Sequence, residues 1–216
     1  MILDSKYFTI FGLQIHFYGL IMGIAIITAV AIICAICKKR GFKTDDIWLV
    51  ALYAIPIGIV GARIYYCVFS ATSYSFIDFF KVWEGGLAVY GSIIGGAIGV
   101  VLYCIIHKKD FLKLADILVI GVAIGQCIGR IGCYFGGCCY GVEVTNPALQ
   151  WFPLSVLIGG TWHYSTFFYE SFCALILFVV LLILLKKIKT KGVVFSSYLI
   201  GYGIIRVIIE GFRGDS

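Results

Sequence analysis

The sequence predicts an all-α, polytopic membrane protein with about six transmembrane helices. Of its 216 residues, 62% are hydrophobic and only 13% are charged, and the mean hydropathy is +1.04. A soluble domain has roughly 45–50% apolar and about 25% charged residues, and a soluble fold of this length could not bury so much apolar surface. Composition thus excludes a soluble fold, a disordered chain and a secreted disulfide scaffold. We expect a single membrane-embedded domain over residues 1–216.

Six apolar stretches are long enough to cross a bilayer, because a helix needs about 20 mostly apolar residues to do so. They cover residues 17–37, 47–69, 87–106, 115–135, 166–185 and 193–212. A shorter apolar stretch, Leu149–Gly160, contains Pro153 and is interpreted as an interfacial or re-entrant segment on the outer face. The first residues do not have the basic start and small-residue cleavage site of a signal peptide.

Basic residues concentrate in alternate loops. Clusters of them follow the first, third and fifth spans, at 38–43, 107–113 and 186–191, whereas the other two loops contain a single lysine, Lys81, besides His163. Under the positive-inside rule the basic loops face the cytoplasm and both termini face outside. Since topology accounts for the net charge of +6, we expect no nucleic-acid partner.

Glycines indicate how the helices pack. They recur every four residues in the third and fourth spans, at Gly91, Gly95 and Gly99 and at Gly121, Gly125 and Gly129. Small residues at this spacing allow two membrane helices to approach closely. Two further pairs, Gly85–Gly86 and Gly136–Gly137, lie where helices should begin or end on the outer side. Flexible backbone there suits a cavity or a lipid headgroup.

Ionisable residues lie inside or at the edge of predicted spans, where each costs several kcal/mol on insertion scales and is a functional candidate. They include Arg63, Arg130, Arg206, Glu210 and Arg213. One interpretation is that Arg206 pairs with Glu210 and only ties helices together. The other is an anion site, because guanidinium exceeds carboxylate at one depth and its planar fork suits the phosphate of a phospholipid.

Polar and thiol side chains surround Arg130 in the sequence. Gln126 lies four residues earlier and so on the same helical face. Four of the nine cysteines fall within thirteen residues, at Cys127, Cys133, Cys138 and Cys139. This spacing is a weak match to a zinc site, so no metal is expected. A disulfide from Cys133 to Cys138 or Cys139, a nucleophilic or acyl-accepting thiol, and simple packing stay open.

Three motifs in the first half of the chain are similar to motifs of one enzyme family. H-F-Y-G-L at 16–20 is similar to the family's W-Y-G-L. G-A-R-I-Y-Y at 61–66 is similar to G-A-R-x-x-Y, and W-E-G-G-L-A-V-Y-G at 83–91 is similar to W-x-G-G-x-x-x-H-G.

Three more motifs follow in the same order as in that family, and together the six cover nearly the whole chain. G-R-I-G at 129–132 begins the signature G-R-x-G-N-F-x-N-x-E-x-x-G, and Tyr169–Glu170 ends a motif written P-x-Q-x-Y-E. The closing stretch from Tyr202 to Arg213 is similar to Y-G-x-x-R-x-x-x-E-x-x-R. These motifs resemble those of the bacterial prolipoprotein diacylglyceryl transferases, and the chain is identified as a divergent or paralogous member.

The departures from the family pattern fall mainly in its signature. Cys133 and Gly136 replace the two asparagines, and Cys138 replaces the glutamate. Tyr90 stands where the family has a loop histidine, and residues 165–167 replace P-x-Q. Family members usually continue into a seventh span.

The resemblance implies transfer of a diacylglyceryl group from phosphatidylglycerol to the cysteine thiol of a lipobox-bearing preprotein or another thiol acceptor. It implies catalytic roles for Arg130 and Arg206, which stabilise the departing phosphate, and for Tyr90 and Tyr18. Tyrosine is a poorer base than histidine at neutral pH. Glu210 is expected to orient Arg206. The other expected substrate-binding residues are Arg63, Gly86, Gly91, Gln126, Gly129, Gly132, Cys133, Cys138, Gly141, Glu210 and Arg213.

The expected setting is the bacterial inner or plasma membrane, with membrane lipid as partner and no cofactor. The rival hypothesis is a non-catalytic lipid- or thiol-binding paralogue, which the substituted signature residues favour. A transporter is disfavoured, because the two halves show neither an inverted repeat nor paired broken helices.

Overall fold

The computed structural model describes residues 7–10, 13–69, 88–137, 139–211 and 213, with side chains described from Phe17 onward. Within these ranges, six helices are long and apolar enough to cross a membrane. They are α1 (Phe17–Ile36), α2 (Thr44–Phe69), α3 (Val89–Ile106), α4 (Phe111–Gly136), α5 (Thr166–Lys187) and α6 (Val193–Glu210). The predicted six-helix architecture is therefore confirmed. The orientation of the helices in the membrane stays a prediction.

Among the described residues, two short antiparallel hairpins accompany the helices, and neither was predicted from the sequence. One pairs β1 (Tyr7–Ile10) with β2 (Leu13–His16), and the other pairs β3 (Ser155–Ile158) with β4 (Thr161–Tyr164). The second turn contains Gly159 and Gly160, whose φ angles are +59° and +91°. Two consecutive residues with positive φ form the tight turn that matches strand twist. The apolar stretch at 149–160 thus contains β3 and ends in the hairpin turn.

The chain divides into two compact units. The smaller is Cys37–Leu114, and the larger joins Met1–Ile36 to Ala115–Ser216. The single domain that we expected stays a prediction.

In the smaller unit, α2 and α3 cross at glycines. A Cβ atom at Gly91 would lie 2.8 Å from the Cα of Ala62, and one at Gly99 would lie 2.7 Å from the Cα of Ala54. Only glycine permits this approach, so the close packing predicted for the third span is confirmed.

In the larger unit, α1 runs along the glycine face of α4. Gly121 faces Ile33, Gly129 faces Met22, and Gly132 faces the ring of Tyr18. The glycine repeat of the fourth span is therefore also a packing surface.

A buried carboxylate joins α4 to the start of α6. Asp116 is fully buried, and its two oxygens accept hydrogen bonds from the backbone N–H groups of Gly192 and Phe195, each at 2.9 Å. The first N–H groups of a helix have no partner inside that helix, and a negative side chain is favourable beside them. Asp116 therefore caps α6 from a neighbouring helix.

Candidate functional site

Five charged side chains of the larger unit form a chain of alternating sign. Three helices and a residue shortly beyond the end of α6 supply them, in the order Arg130, Glu170, Arg206, Glu210 and Arg213. Three guanidinium groups face two carboxylates, which leaves a net charge of +1 on this charge chain.

Glu170 is the centre of the charge chain. It is only 3% exposed, and its Oε1 lies 2.6 Å from Nη2 of Arg130. Nη1 of Arg206 lies 3.4 Å from Oε1 and 3.5 Å from Oε2 of the same carboxylate. A buried charge is tolerated where it is paired, and here one carboxylate on α5 holds arginines from α4 and α6.

The far end of the charge chain is more open to its surroundings. Nη2 of Arg206 lies 2.9 Å from Oε2 of Glu210, one helical turn later on α6, and Nη1 of Arg213 lies 3.9 Å from that oxygen. The side chain of Glu210 is 44% exposed. Since Arg206 and Glu210 belong to one helix, their pair orients a guanidinium, and the tie between helices runs through Glu170 instead.

Among the described residues, Arg130 also contacts a thiol and a hydroxyl group. Its Nη1 lies 3.7 Å from the sulfur of Cys139, and the Tyr202 hydroxyl is another hydrogen-bond partner. The loop around Cys139 is fixed by the first residue of α5, because the hydroxyl of Thr166 donates to the Cys139 carbonyl oxygen at 2.7 Å. Arg130 is therefore held from α5, from α6 and from the loop that follows α4.

The cysteine-rich signature separates into a buried and a partly exposed thiol. Cys133 is buried against Val156 and Phe167, and Cys139 packs against the edge of the same cluster. Among the described residues, Cys133 and Cys139 form no disulfide with each other. Cys138 lies outside the described residues, so the alternative pairing to Cys138 stays a prediction.

Four other predicted site residues line the face of α4 or the loop beyond it. Gly129 and Gly132 contact α1, where Gly132 admits the ring of Tyr18. The amide oxygen of Gln126 is buried and has no hydrogen-bond partner in the part of the chain that the structure describes. Gly141 is buried and forms an antiparallel bridge with Arg213. The structure thus brings Tyr18, Gly132 and Arg130 to one end of α4.

Three described members of the predicted site belong to the smaller unit. Arg63 is 4% exposed, with its guanidinium carbon 5.8 Å from the ring centroid of Tyr66. Tyr90 is 71% exposed at the start of α3, and Gly91 lies in the helix crossing described above. Gly86 lies outside the described residues. The substrate contacts expected of these residues stay predictions.

Glu170 is the residue that the sequence analysis left out of its candidate site. The signal was present, because Glu170 lies in an otherwise apolar span and belongs to one of the family-like motifs. Its role depends on two arginines 40 and 36 positions away along the chain, and sequence spacing alone does not reveal such a contact.

The chain is similar in sequence to known proteins along nearly its whole length. The family model described as prolipoprotein diacylglyceryl transferase matches residues 5–216. A phosphatidylglycerol–prolipoprotein diacylglyceryl transferase of Clostridioides difficile (strain 630) is 37% identical over 216 residues, which cover 99% of this chain and 85% of the relative. The protein of the same name from Clostridium tetani (strain Massachusetts / E88) is 39% identical over 212 residues, covering 96% of this chain and 84% of the relative. The chain therefore belongs to the prolipoprotein diacylglyceryl transferase family.

Proposed function

We propose that this chain transfers the diacylglyceryl group of phosphatidylglycerol to the cysteine thiol of a lipobox-bearing prolipoprotein in a bacterial cell membrane. The relatives' names supply the two substrates. The observation in this chain that carries the proposal is the cluster of three arginines on two carboxylates, with its net positive charge at the ends of membrane-spanning helices.

The reaction breaks one bond and forms another. The thiol sulfur attacks the glycerol carbon of the diacylglyceryl group, the carbon–oxygen bond to phosphate breaks, and a thioether forms. Glycerol phosphate leaves with the bonding electron pair, and the thiol proton is lost to a base. Negative charge therefore grows on the departing phosphate while the reactive form of the attacking group is the thiolate.

Arg130 and Arg206 suit the departing phosphate. Fixed guanidinium donors stabilise charge that develops in the transition state, and they are most effective where water is excluded. Both are held in place by the buried carboxylate of Glu170, so little rearrangement is needed when charge develops. The excess positive charge available to the phosphate belongs to the whole charge chain, because Glu170 and Glu210 together face three guanidinium groups.

Arg213 and Glu210 suit the outer part of the headgroup. Glu210 holds both Arg206 and Arg213, and it is the most exposed member of the charge chain. We assign Arg213 to binding of the phosphatidylglycerol headgroup and Glu210 to orientation of Arg206. Tyr18, beside Gly132, is assigned to a hydrogen bond with the headgroup or the thiol.

The test is transfer by the purified protein. Incubation with phosphatidylglycerol and a lipobox peptide should yield a peptide whose mass has increased by one diacylglyceryl group in thioether linkage, with release of glycerol phosphate. A peptide with serine in place of the lipobox cysteine is the matched control and should stay unmodified. No thioether product, where a relative makes it under the same conditions, would count against the proposal.

A non-catalytic, lipid-binding paralogue is the second candidate. It is favoured by Cys133, which stands where the family has asparagine and lies in an apolar cluster, with its sulfur 4.0 Å from the Gly129 carbonyl oxygen. This candidate predicts saturable binding of phosphatidylglycerol without thioether formation, so the same preparation distinguishes the two.

A further inference from the structure

The loop that follows α4 extends the second hairpin by a third strand-like segment. The N–H of Gly141 donates to the carbonyl oxygen of Tyr164 at 2.8 Å. The N–H of Tyr164 donates in turn to the carbonyl oxygen of Val142 at 3.2 Å. On its other side, Gly141 forms an antiparallel bridge with Arg213. Gly141 therefore lies between β4 and the arginine at the end of the charge chain.

A histidine side chain fixes this glycine. Nδ1 of His163, on β4, lies 3.1 Å from the carbonyl oxygen of Gly141. A carbonyl oxygen only accepts hydrogen bonds, so Nδ1 must carry the proton and donate it. Nε2 lies 2.8 Å from the hydroxyl oxygen of Thr161, and the ring of Tyr140 packs on the imidazole with 4.8 Å between centroids.

These contacts constrain the ring from three sides and assign its two nitrogens to different partners. Neither nitrogen is left over for an incoming thiol unless a hydrogen bond breaks. The geometry thus favours a role in holding the loop rather than in moving a proton.

We propose that His163 is a positioning residue for lipid transfer, which holds Gly141 through its Nδ1–H and thereby places Arg213 beside Glu210. This proposal rests on the function proposed above. It adds to the site a residue that belongs to none of the family-like motifs. It also assigns a function to the β3–β4 hairpin, because His163 on β4 donates the hydrogen bond that fixes the end of the charge chain.

Two substitutions separate the hydrogen bond from the ring. His163→Asn keeps an N–H donor the same number of bonds from Cβ as Nδ1 but loses the ring, whereas His163→Phe keeps a ring beside Tyr140 but loses the donor. With both variants we would measure kcat and KM for phosphatidylglycerol with the lipobox peptide. We expect His163→Phe to raise KM about tenfold, a factor that corresponds to about 1.4 kcal/mol, with kcat within about twofold. We expect His163→Asn to stay within about threefold of the unmodified chain.

The link to Arg213 is tested by a double-mutant cycle. If His163 acts through Arg213, His163→Phe should add little further loss in an Arg213→Ala background. Full additivity of the two losses would overturn the proposal, and so would equal losses in the Asn and Phe variants.

A readout that does not need catalysis separates failure of this proposal from failure of the proposed function. Amide hydrogen exchange should rise in the peptides that contain Gly141 and Arg213 in His163→Phe, but not in His163→Asn. If the unmodified chain makes no thioether product, the proposed function fails and the exchange data still decide the link. Unchanged exchange in both variants would overturn it.

Discussion

Arg130 and Glu170 form the shortest ion pair of the described charge chain, with 2.6 Å between Nη2 and Oε1. The carboxylate is almost fully buried, and it also receives Arg206 from a third helix. Removing one partner of a buried pair leaves an uncompensated charge, which costs about 3–5 kcal/mol. The pair therefore combines a structural and an electrostatic role.

Replacement of Glu170 should test both roles. We expect Glu170→Gln to lower the free energy of unfolding by about 3 kcal/mol, because two guanidinium groups then face a neutral amide, and to abolish most of the transfer activity. Thermal unfolding in detergent and the transfer assay would measure the two effects. Glu143→Gln, at an exposed carboxylate of the hairpin region, is the matched control and should change neither. Equal stability of the two variants would contradict the central place given to Glu170.

Arg130 should matter more for turnover than for lipid binding. We expect Arg130→Lys to lower kcat by about 10²-fold, the usual loss on removing one donor to a developing charge, because a lysine cannot reproduce the planar fork. Steady-state kinetics would measure this loss. Lys109→Arg, in the smaller unit, is the control for a basic exchange elsewhere. A rise in KM with unchanged kcat would instead assign Arg130 to ground-state binding.

The helix crossing in the smaller unit offers a matched pair of glycines. A Cβ at Gly95 would lie 3.1 Å from the Cα of Gly58, whereas a Cβ at Gly96 would meet only one atom, 4.0 Å away. We expect Gly95→Ala to lower the thermal unfolding midpoint by several degrees, because overpacking costs about 1–3 kcal/mol, and Gly96→Ala to leave it unchanged. An equal fall of the unfolding midpoint in both variants would mean that the α2–α3 crossing does not cause the destabilisation.

Replacement of Asp116, the buried cap of α6, should lower the stability of the protein by an amount that depends on how many hydrogen bonds remain. Asp116→Asn keeps one accepting oxygen for the N–H groups of Gly192 and Phe195, whereas Asp116→Ala keeps none. Loss of a cap costs about 0.5–2 kcal/mol, so we expect the alanine variant to be the less stable of the two in denaturation experiments. Equal losses in the two variants would show that the charge, which both remove, governs this contact rather than the hydrogen bonds.

The orientation predicted from basic loops can be tested by reporter fusions. A phosphatase that is active only outside the cytoplasm should be active when fused after Asn146 and inactive when fused after Lys108. The opposite pattern would invert the topology and place the charge chain at the inner face.

The spans were predictable from sequence because length and hydropathy suffice to identify a membrane helix. The hairpins were not, although Gly159–Gly160 between two short apolar runs is a known turn signal; their strands are only four residues long. The arginines of the site were identified because charge is rare in lipid. Glu170 and His163 were missed because their importance lies in contacts between segments distant in the chain.

The hydrogen bonds between Asp116 and the start of α6 also fix the position of that helix along its own axis. Gly192 is fixed to Asp116 and Arg206 to Glu170, two attachment points that are fourteen residues apart and so separated by about 21 Å along the helix axis. A shift of α6 by one turn would break both attachments together. Asp116 lies 76 positions before Gly192, so α4 is synthesised before α6. The position of α6 along its axis is therefore set by a helix that is synthesised earlier, and this position brings Arg206 to Glu170, the carboxylate that also pairs with Arg130.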